Sequence, residues 1–162
     1  MTRIVQATSA QEVKAASALF EEYAASLDLD LGFQEFATEL AGLPGEYAPP
    51  RGALLLSFDG EISLGCVALR PLDWPRLAEL KRLYVKPSGR GRRLGEQLSQ
   101  AALSLARDAG YQRIRLDTLP TMLEAQRLYE KLGFYEVEAY RFNPVAGARY
   151  MELDLGAADR SR

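Results

Sequence analysis

Residues 83–95 read Leu83-Tyr84-Val85-Lys86-Pro87-Ser88-Gly89-Arg90-Gly91-Arg92-Arg93-Leu94-Gly95, and the chain changes character twice within them. Up to Val85 it continues a long apolar run that starts at Leu77 and predicts a strand ending at Lys86-Pro87. From Leu94 the apolar residues Leu94, Leu98, Ala101, Leu105 and Ala109 recur at helical spacing, and Gly110 closes the helix. Between the two lies a basic, glycine-bearing loop. Residues 81–93 carry six basic side chains (Lys81, Arg82, Lys86, Arg90, Arg92, Arg93) and no acidic one. The first amides of a helix lack internal partners, and its dipole is positive there. Strand, basic loop and helix start therefore describe a site for phosphate or pyrophosphate. The same residues also fit a surface turn with solvated arginines. No Gly-Lys-Ser/Thr follows, so the loop is not a P-loop. The glycine spacing and the hairpin-linked strands upstream exclude a dinucleotide fingerprint.

Upstream, Ala53–Phe58 and Ile62–Leu69 are apolar runs joined at Asp59-Gly60, a hairpin signal. The second run is apolar on both faces, which predicts a central strand. Leu43 to Gly52 is rich in proline and glycine and reads as a loop. Before it, Phe33, Phe36, Ala37 and Leu40 predict a short helix after a break at Asp28–Gly32. Ser9-Ala10-Gln11-Glu12 has the form of a capping box, and Val13, Ala16, Phe20, Tyr23 and Leu27 form one helical stripe behind it. Ile4–Ala7 predicts an opening strand. Downstream, Arg113–Thr118 is a strand. Thr121-Met122-Leu123-Glu124 resembles a second capping box, followed by a helix with Ala125, Leu128, Tyr129 and Leu132 on one face and Gly133 at its end. Strands at Tyr135–Ala139 and Arg149–Leu155 complete the order β-α-α-β-β-β-α-β-α-β-β. The expected fold class is α/β (α+β), a mixed and mostly antiparallel central sheet with helices on both faces. Residues 1–156 form one domain and 157–162 a frayed tail.

The 162 residues, 48% of them hydrophobic and 26% charged, suffice for one core and exclude a disordered chain. A net charge of −2 argues against nucleic-acid binding. No run of roughly 18 apolar residues predicts a membrane span. The N-terminus lacks the apolar run of a signal peptide. The single cysteine, Cys66, excludes an internal disulfide and suggests a reducing cytoplasm. The chain contains no histidine, so histidine-based triads and histidine metal sites are excluded, and no metal is expected.

Leu83-Tyr84-Val85-x-Pro87 with Arg90-Gly91-Arg92-Arg93-Leu94-Gly95 resembles the acetyl-CoA motif of the GNAT N-acetyltransferases. Ala125-x-x-Leu128-Tyr129-x-Lys131-x-Gly133-Phe134 is similar to that family's second cofactor motif. The element order agrees from Ile4 to Leu155, nearly the whole domain. The resemblance implies a co-substrate, acetyl-CoA, held by Leu83, Tyr84, Val85, Arg90, Gly91, Arg92, Arg93, Leu94 and Gly95. It implies a strand that splays from its neighbour, with main-chain groups of Leu83 and Val85 pairing the acetyl-pantetheine arm and the Val85 N–H facing the oxyanion. It also implies that Tyr129 donates to the departing thiolate. Two positions depart from the family pattern. Arg93 stands where glycine is usual, so the amides keep their reach if Arg93 takes an ordinary helical φ. Met122 stands where asparagine is usual.

Acetyl transfer requires a neutral amine, donors for the oxyanion and help for the leaving thiolate. Glu79 is the first candidate base, on a strand face expected to include Lys81, Leu83 and Val85. Its alternative is an ion pair with a neighbouring arginine or lysine. Asp117 is a second candidate with the same alternative, and Tyr129 also reads as core. Arg70 and Arg141-x-Asn143 suggest an anionic acceptor, although such residues are more often surface ion pairs. The expected activity is acetyl transfer to a primary amine of a small molecule or peptide by direct transfer. A non-catalytic CoA- or acyl-CoA-binding sensor or an interaction module is the alternative. Neither the acceptor nor the oligomeric state, a homodimer being one option, follows from the sequence.

Overall fold

A computed structural model describes residues 2–27 and 35–156. The expected break at 28–32, Phe33 and the 157–162 tail lie outside the described residues. The strands are β1 (Thr2–Gln6), β2 (Ala53–Asp59), β3 (Ile62–Pro71), β4 (Leu77–Val85), β5 (Arg113–Thr118), β6 (Tyr135–Val137) and β7 (Arg149–Asp154). The helices are α1 (Ala10–Ser26), α2 (Phe36–Ala41), α3 (Leu94–Asp108) and α4 (Leu123–Leu132). Element order and fold class agree with the sequence reading. The seven strands lie in the order β1-β2-β3-β4-β5-β7-β6, and only the β4–β5 pair is parallel. A strand–helix–parallel strand crossover through α3 accounts for that pair. No helix among the described residues is long and apolar enough to cross a membrane.

Each sheet face has its own apolar layer. One packs Leu55, Val67, Leu69, Leu80 and Ile114 against Leu98 and Ala102 of α3. The other packs Leu54, Leu56, Cys66 and Ala68 against Leu19 and Phe20 of α1. Fully burying a leucine contributes roughly 2 kcal/mol, so these layers fix how the helices sit. The first capping box forms: Ser9 Oγ accepts from the Glu12 amide at 3.1 Å, and the Ser9 amide donates back to Glu12 Oε1 at 3.1 Å. The second does not. Helix α4 starts one residue later, with Met122 as its cap and no side-chain capping bond. Gln126 Nε2 instead donates to the Leu119 carbonyl at 2.7 Å and holds the entry turn.

Two departures from regular pairing shape the centre of the sheet. Strands β4 and β5 pair only from Leu77↔Arg113 to Glu79↔Arg115 and then separate. On the other side of β4 the register steps from Ala68↔Lys81 to Cys66↔Tyr84, so β4 carries one extra residue. That bulge sits at Arg82, whose φ is +61°. Glu79 and Lys81 face the α1–α2 layer, as expected of a shared face. Beyond the bulge the alternation changes phase, and Leu83 and Val85 pack into the α3 layer. The expectation that Glu79 shares a face with Leu83 and Val85 is therefore corrected, because one inserted residue inverts every later side chain.

Candidate functional site

The loop after β4 is the candidate anion cradle. Gly91 and Arg93 adopt φ of +85° and +59°. The second value corrects the expectation of a helical φ: Arg93 occupies the left-handed turn that glycine takes without strain. The amides of Gly91, Arg92, Arg93, Leu94, Gly95 and Glu96 donate to no described residue. They sit at the N-terminal end of α3, a helix of 15 residues. Arg92 is held by Asp59 at 2.8 Å. Arg90 and Arg93 are exposed and pair with no carboxylate among the described residues.

The six basic residues of segment 81–93 do not all belong to that cradle. Lys86 pairs with Glu22 at 3.4 Å. Arg82 turns to the opposite layer, where its Nε and NH2 donate to the two oxygens of Glu39 at 3.0 and 2.8 Å. Its guanidinium also lies over Phe36 and Tyr23. Tyr84 points the same way, its hydroxyl 3.4 Å from Glu22.

Where β4 and β5 part, a small cleft of about 50 Å³ opens between Leu83 of β4, Thr118 of β5, Tyr129 of α4 and Tyr23 of α1. Met122 and Asp117 also line it. Tyr129 is buried, and its ring packs on Phe134 with centroids 5.6 Å apart. Its hydroxyl has no hydrogen-bond partner among the described residues. Burial pushes the phenol well above its ordinary value, helped by the nearby Tyr23 and Asp117. Asp117 accepts from Asn143 Nδ2 at 3.2 Å.

Beside the cleft lies a second, larger pocket of about 420 Å³ under α2. Lys81 lines both. The floor of the larger pocket is organised by Glu79, which is 0% exposed. Glu79 Oε1 accepts from Arg70 Nε at 2.8 Å, and Oε2 accepts from the Tyr140 hydroxyl at 2.7 Å and from Arg141. Burial favours the neutral carboxyl, but Lys81, Arg141 and Arg70 outweigh it and hold the group below the ordinary carboxylate range. Arg70 is the cross-strand partner of Glu79, so that pair was legible from β-pairing. Lys81 carries no ion pair among the described residues. Burial, then the nearby Arg82, push its ammonium down to about 8, with Arg70 and Arg141 adding to the effect and Glu79 opposing it. Proximity along the chain groups Lys81 and Arg82 with the phosphate loop. The Arg82 bulge, which has no local signature, turns Arg82 to the α1–α2 side, where it lines the cleft while Lys81 lines cleft and pocket together.

The profile of the Acetyltransferase (GNAT) family matches residues 14–134. An uncharacterized N-acetyltransferase of Schizosaccharomyces pombe is 41% identical over 138 residues, covering 85% of this chain and 85% of that one. The crystal structure of a GNAT-family acetyltransferase from Staphylococcus aureus superposes with a TM-score of 0.79 at 18% identity, covering 96% of this chain and 99% of the other. A putative acetyltransferase from Salmonella typhimurium, solved with its cofactor acetyl-CoA, superposes with a TM-score of 0.67 at 20% identity, covering 95% and 94%.

Proposed function

The chain belongs to the GNAT acetyltransferase family, and on that footing we propose that it transfers the acetyl group of acetyl-CoA directly to a primary amine of a small molecule. The observation that carries this reading is the run of unpartnered amides from Gly91 to Glu96, set beside the gap between β4 and β5. A diphosphate fits it: among the described residues the amides have no acceptors and Arg90 and Arg93 no counterions, and the α3 dipole favours negative charge. Gly91, Arg92, Leu94 and Gly95 would contribute main chain there. The edge of β4 that β5 leaves after Glu79 offers the main chain of Leu83, Tyr84 and Val85 to an extended arm.

Acetyl-CoA supplies an activated thioester. The Val85 N–H is assigned to the carbonyl oxygen as negative charge develops on it. As the amine nitrogen bonds to the acyl carbon, the carbon–sulfur bond breaks and the nitrogen releases a proton to solvent. Tyr129 is assigned to the departing sulfur. An ordinary phenol titrates near 10 and a thiol near 8.5, and burial widens the difference, so the hydroxyl acts as a hydrogen-bond donor and keeps its proton. That its hydroxyl has no partner among the described residues supports that assignment. Glu79, first read as a base, is assigned to holding Arg70 and Arg141. Three donors occupy it, and a carboxylate of lowered pKa is a poor proton acceptor. The single thiol, Cys66, is buried, and a reducing cytoplasm suits it.

The test is thiol release from acetyl-CoA over a panel of amines, with Tyr129→Phe as control. The variant should bind acetyl-CoA normally and lose on the order of a hundredfold in kcat. Full activity in the variant would remove Tyr129 from the mechanism. Acetyl-CoA binding without release on any amine would support a non-catalytic sensor instead.

A further inference from the structure

The pocket under α2 is lined by three cations, Arg70, Lys81 and Arg141, and by three carboxylates, Glu35, Glu39 and Glu46, with Glu79 sealed beneath. Glu35 and Glu46 are exposed, and Glu39 is engaged by Arg82, so the buried part of the lining is left with the cations. Arg70 and Arg141 share the Glu79 carboxylate. Arg70 reaches a second, exposed one, Glu46, only at 3.4 Å. The other buried cation, Arg82, is matched by its two bonds to Glu39. Lys81 makes no direct ion pair among the described residues, and Glu79 acts on it only through space. A largely buried ammonium without a counterion is costly, and its lowered pKa records that cost. An anion placed on the floor would relieve it.

We infer that the acceptor carries a carboxylate a few bonds from its amine, as a free amino acid does, and that Lys81 and Arg141 bind that carboxylate. The inference rests on the transfer reading above. The short separation follows from the position of Lys81, which lines the pocket and the acetyl cleft together. A carboxylate on its ammonium leaves the neighbouring amine at the mouth of the cleft, near Tyr129. A pocket of about 420 Å³ is within the range of small-ligand sites and leaves room for the rest of the molecule. Besides its bond to Glu79, Arg141 is held in place by two further contacts. Its carbonyl accepts from the Tyr150 hydroxyl at 2.9 Å, and its guanidinium lies 5.3 Å from the Tyr140 ring centre.

The experiment compares free amino acids with their C-terminal amides, in two arms. Calorimetric binding to protein saturated with CoA needs no chemistry. Thiol release from acetyl-CoA reads transfer. An amide's amine is less basic and so more often deprotonated, which favours the amide in intrinsic reactivity. A preference for the acid therefore belongs to the pocket. Acids should bind and react roughly ten- to a hundredfold better than their amides, the range of one or two charge-assisted contacts. Lys81→Met and Arg141→Gln should each bring that ratio close to one. Equal or better binding of amides, no binding of any acid at millimolar concentration, or a preference that survives both variants overturns the inference. Acid-selective binding without thiol release would instead overturn the transfer reading and leave the carboxylate site standing. Release from amides without acid preference would do the reverse.

Discussion

Replacing Lys81 by methionine separates what the ammonium costs the fold from what it contributes to function. Methionine keeps most of the stem and removes the charge. In the folded protein the group titrates near 8, against about 10.4 when unfolded. That difference corresponds to roughly 3 kcal/mol of destabilisation while the group is charged in both states. Below pH 8 the folded protein bears the whole cost. Between 8 and about 10.4 the folded protein sheds the proton while the unfolded chain keeps it, so stability rises with pH. Lys81→Met should therefore be more stable than the parent by roughly 3 kcal/mol at pH 7, and the gap should close towards pH 10. Urea unfolding of both proteins at the two pH values measures this, and taking the difference cancels titrations common to both. A variant less stable at pH 7, or a gap that does not change with pH, would contradict an uncompensated ammonium at this position. In the same preparation, turnover of a carboxylate-bearing amine should fall by tens of fold.

Arg93 makes a separate test. Because its φ is +59°, Arg93→Gly should be more stable than Arg93→Ala by about 1 kcal/mol in thermal or urea unfolding. Both should weaken CoA binding less than tenfold and flatten its salt dependence, whereas abolished binding in the glycine variant would mean that the side chain outweighs the amides. Glu79→Gln leaves Arg70 and Arg141 with no carboxylate at their centre and should cost about 3 kcal/mol in urea unfolding. Since Glu79 is held below its unfolded pKa, its contribution is full above the ordinary carboxylate range and is lost as pH falls through the lowered value, so parent and variant should converge in acid.

The periodicity of the sequence located elements well wherever one residue type repeats on one face. Strands β4 and β5 begin and end where the apolar runs do, and Ser9 caps α1 as its spacing predicts. The misplacements share a cause. Capping boxes depend on which residue enters the first turn, and at α4 the tie from Gln126 to Leu119 shifts that by one. The face of Glu79 relative to Leu83 depends on a bulge, and an arginine at positive φ announces none. The pocket floor draws Arg70, Glu79 and Arg141 from β3, β4 and the connection between β6 and β7. Only the first pair is adjacent in a register that sequence can suggest. The phosphate loop, by contrast, is a single local stretch, so it could be read directly.

The Arg82 bulge explains why one strand can serve two ligands. In an unbroken β4, Lys81 and Arg82 would point to opposite faces, and Leu83 would lie with Lys81. The inserted residue puts both cations in the α1–α2 layer and returns Leu83 and Val85 to the α3 layer, beside the cradle. The first half of β4 thus furnishes the pocket under α2, and the second half furnishes the edge next to the loop. The two adjacent cations then diverge in role through their partners. Arg82 is neutralised by Glu39 and ties α2, the roof of the pocket, to the strand beneath. Were Lys81 equally matched from within the chain, the floor would be electrically closed and an anionic group would gain nothing by entering. On the carboxylate-acceptor reading, the absence of an ion pair to Lys81 among the described residues leaves a place for that anion, whose binding would offset the cost to stability.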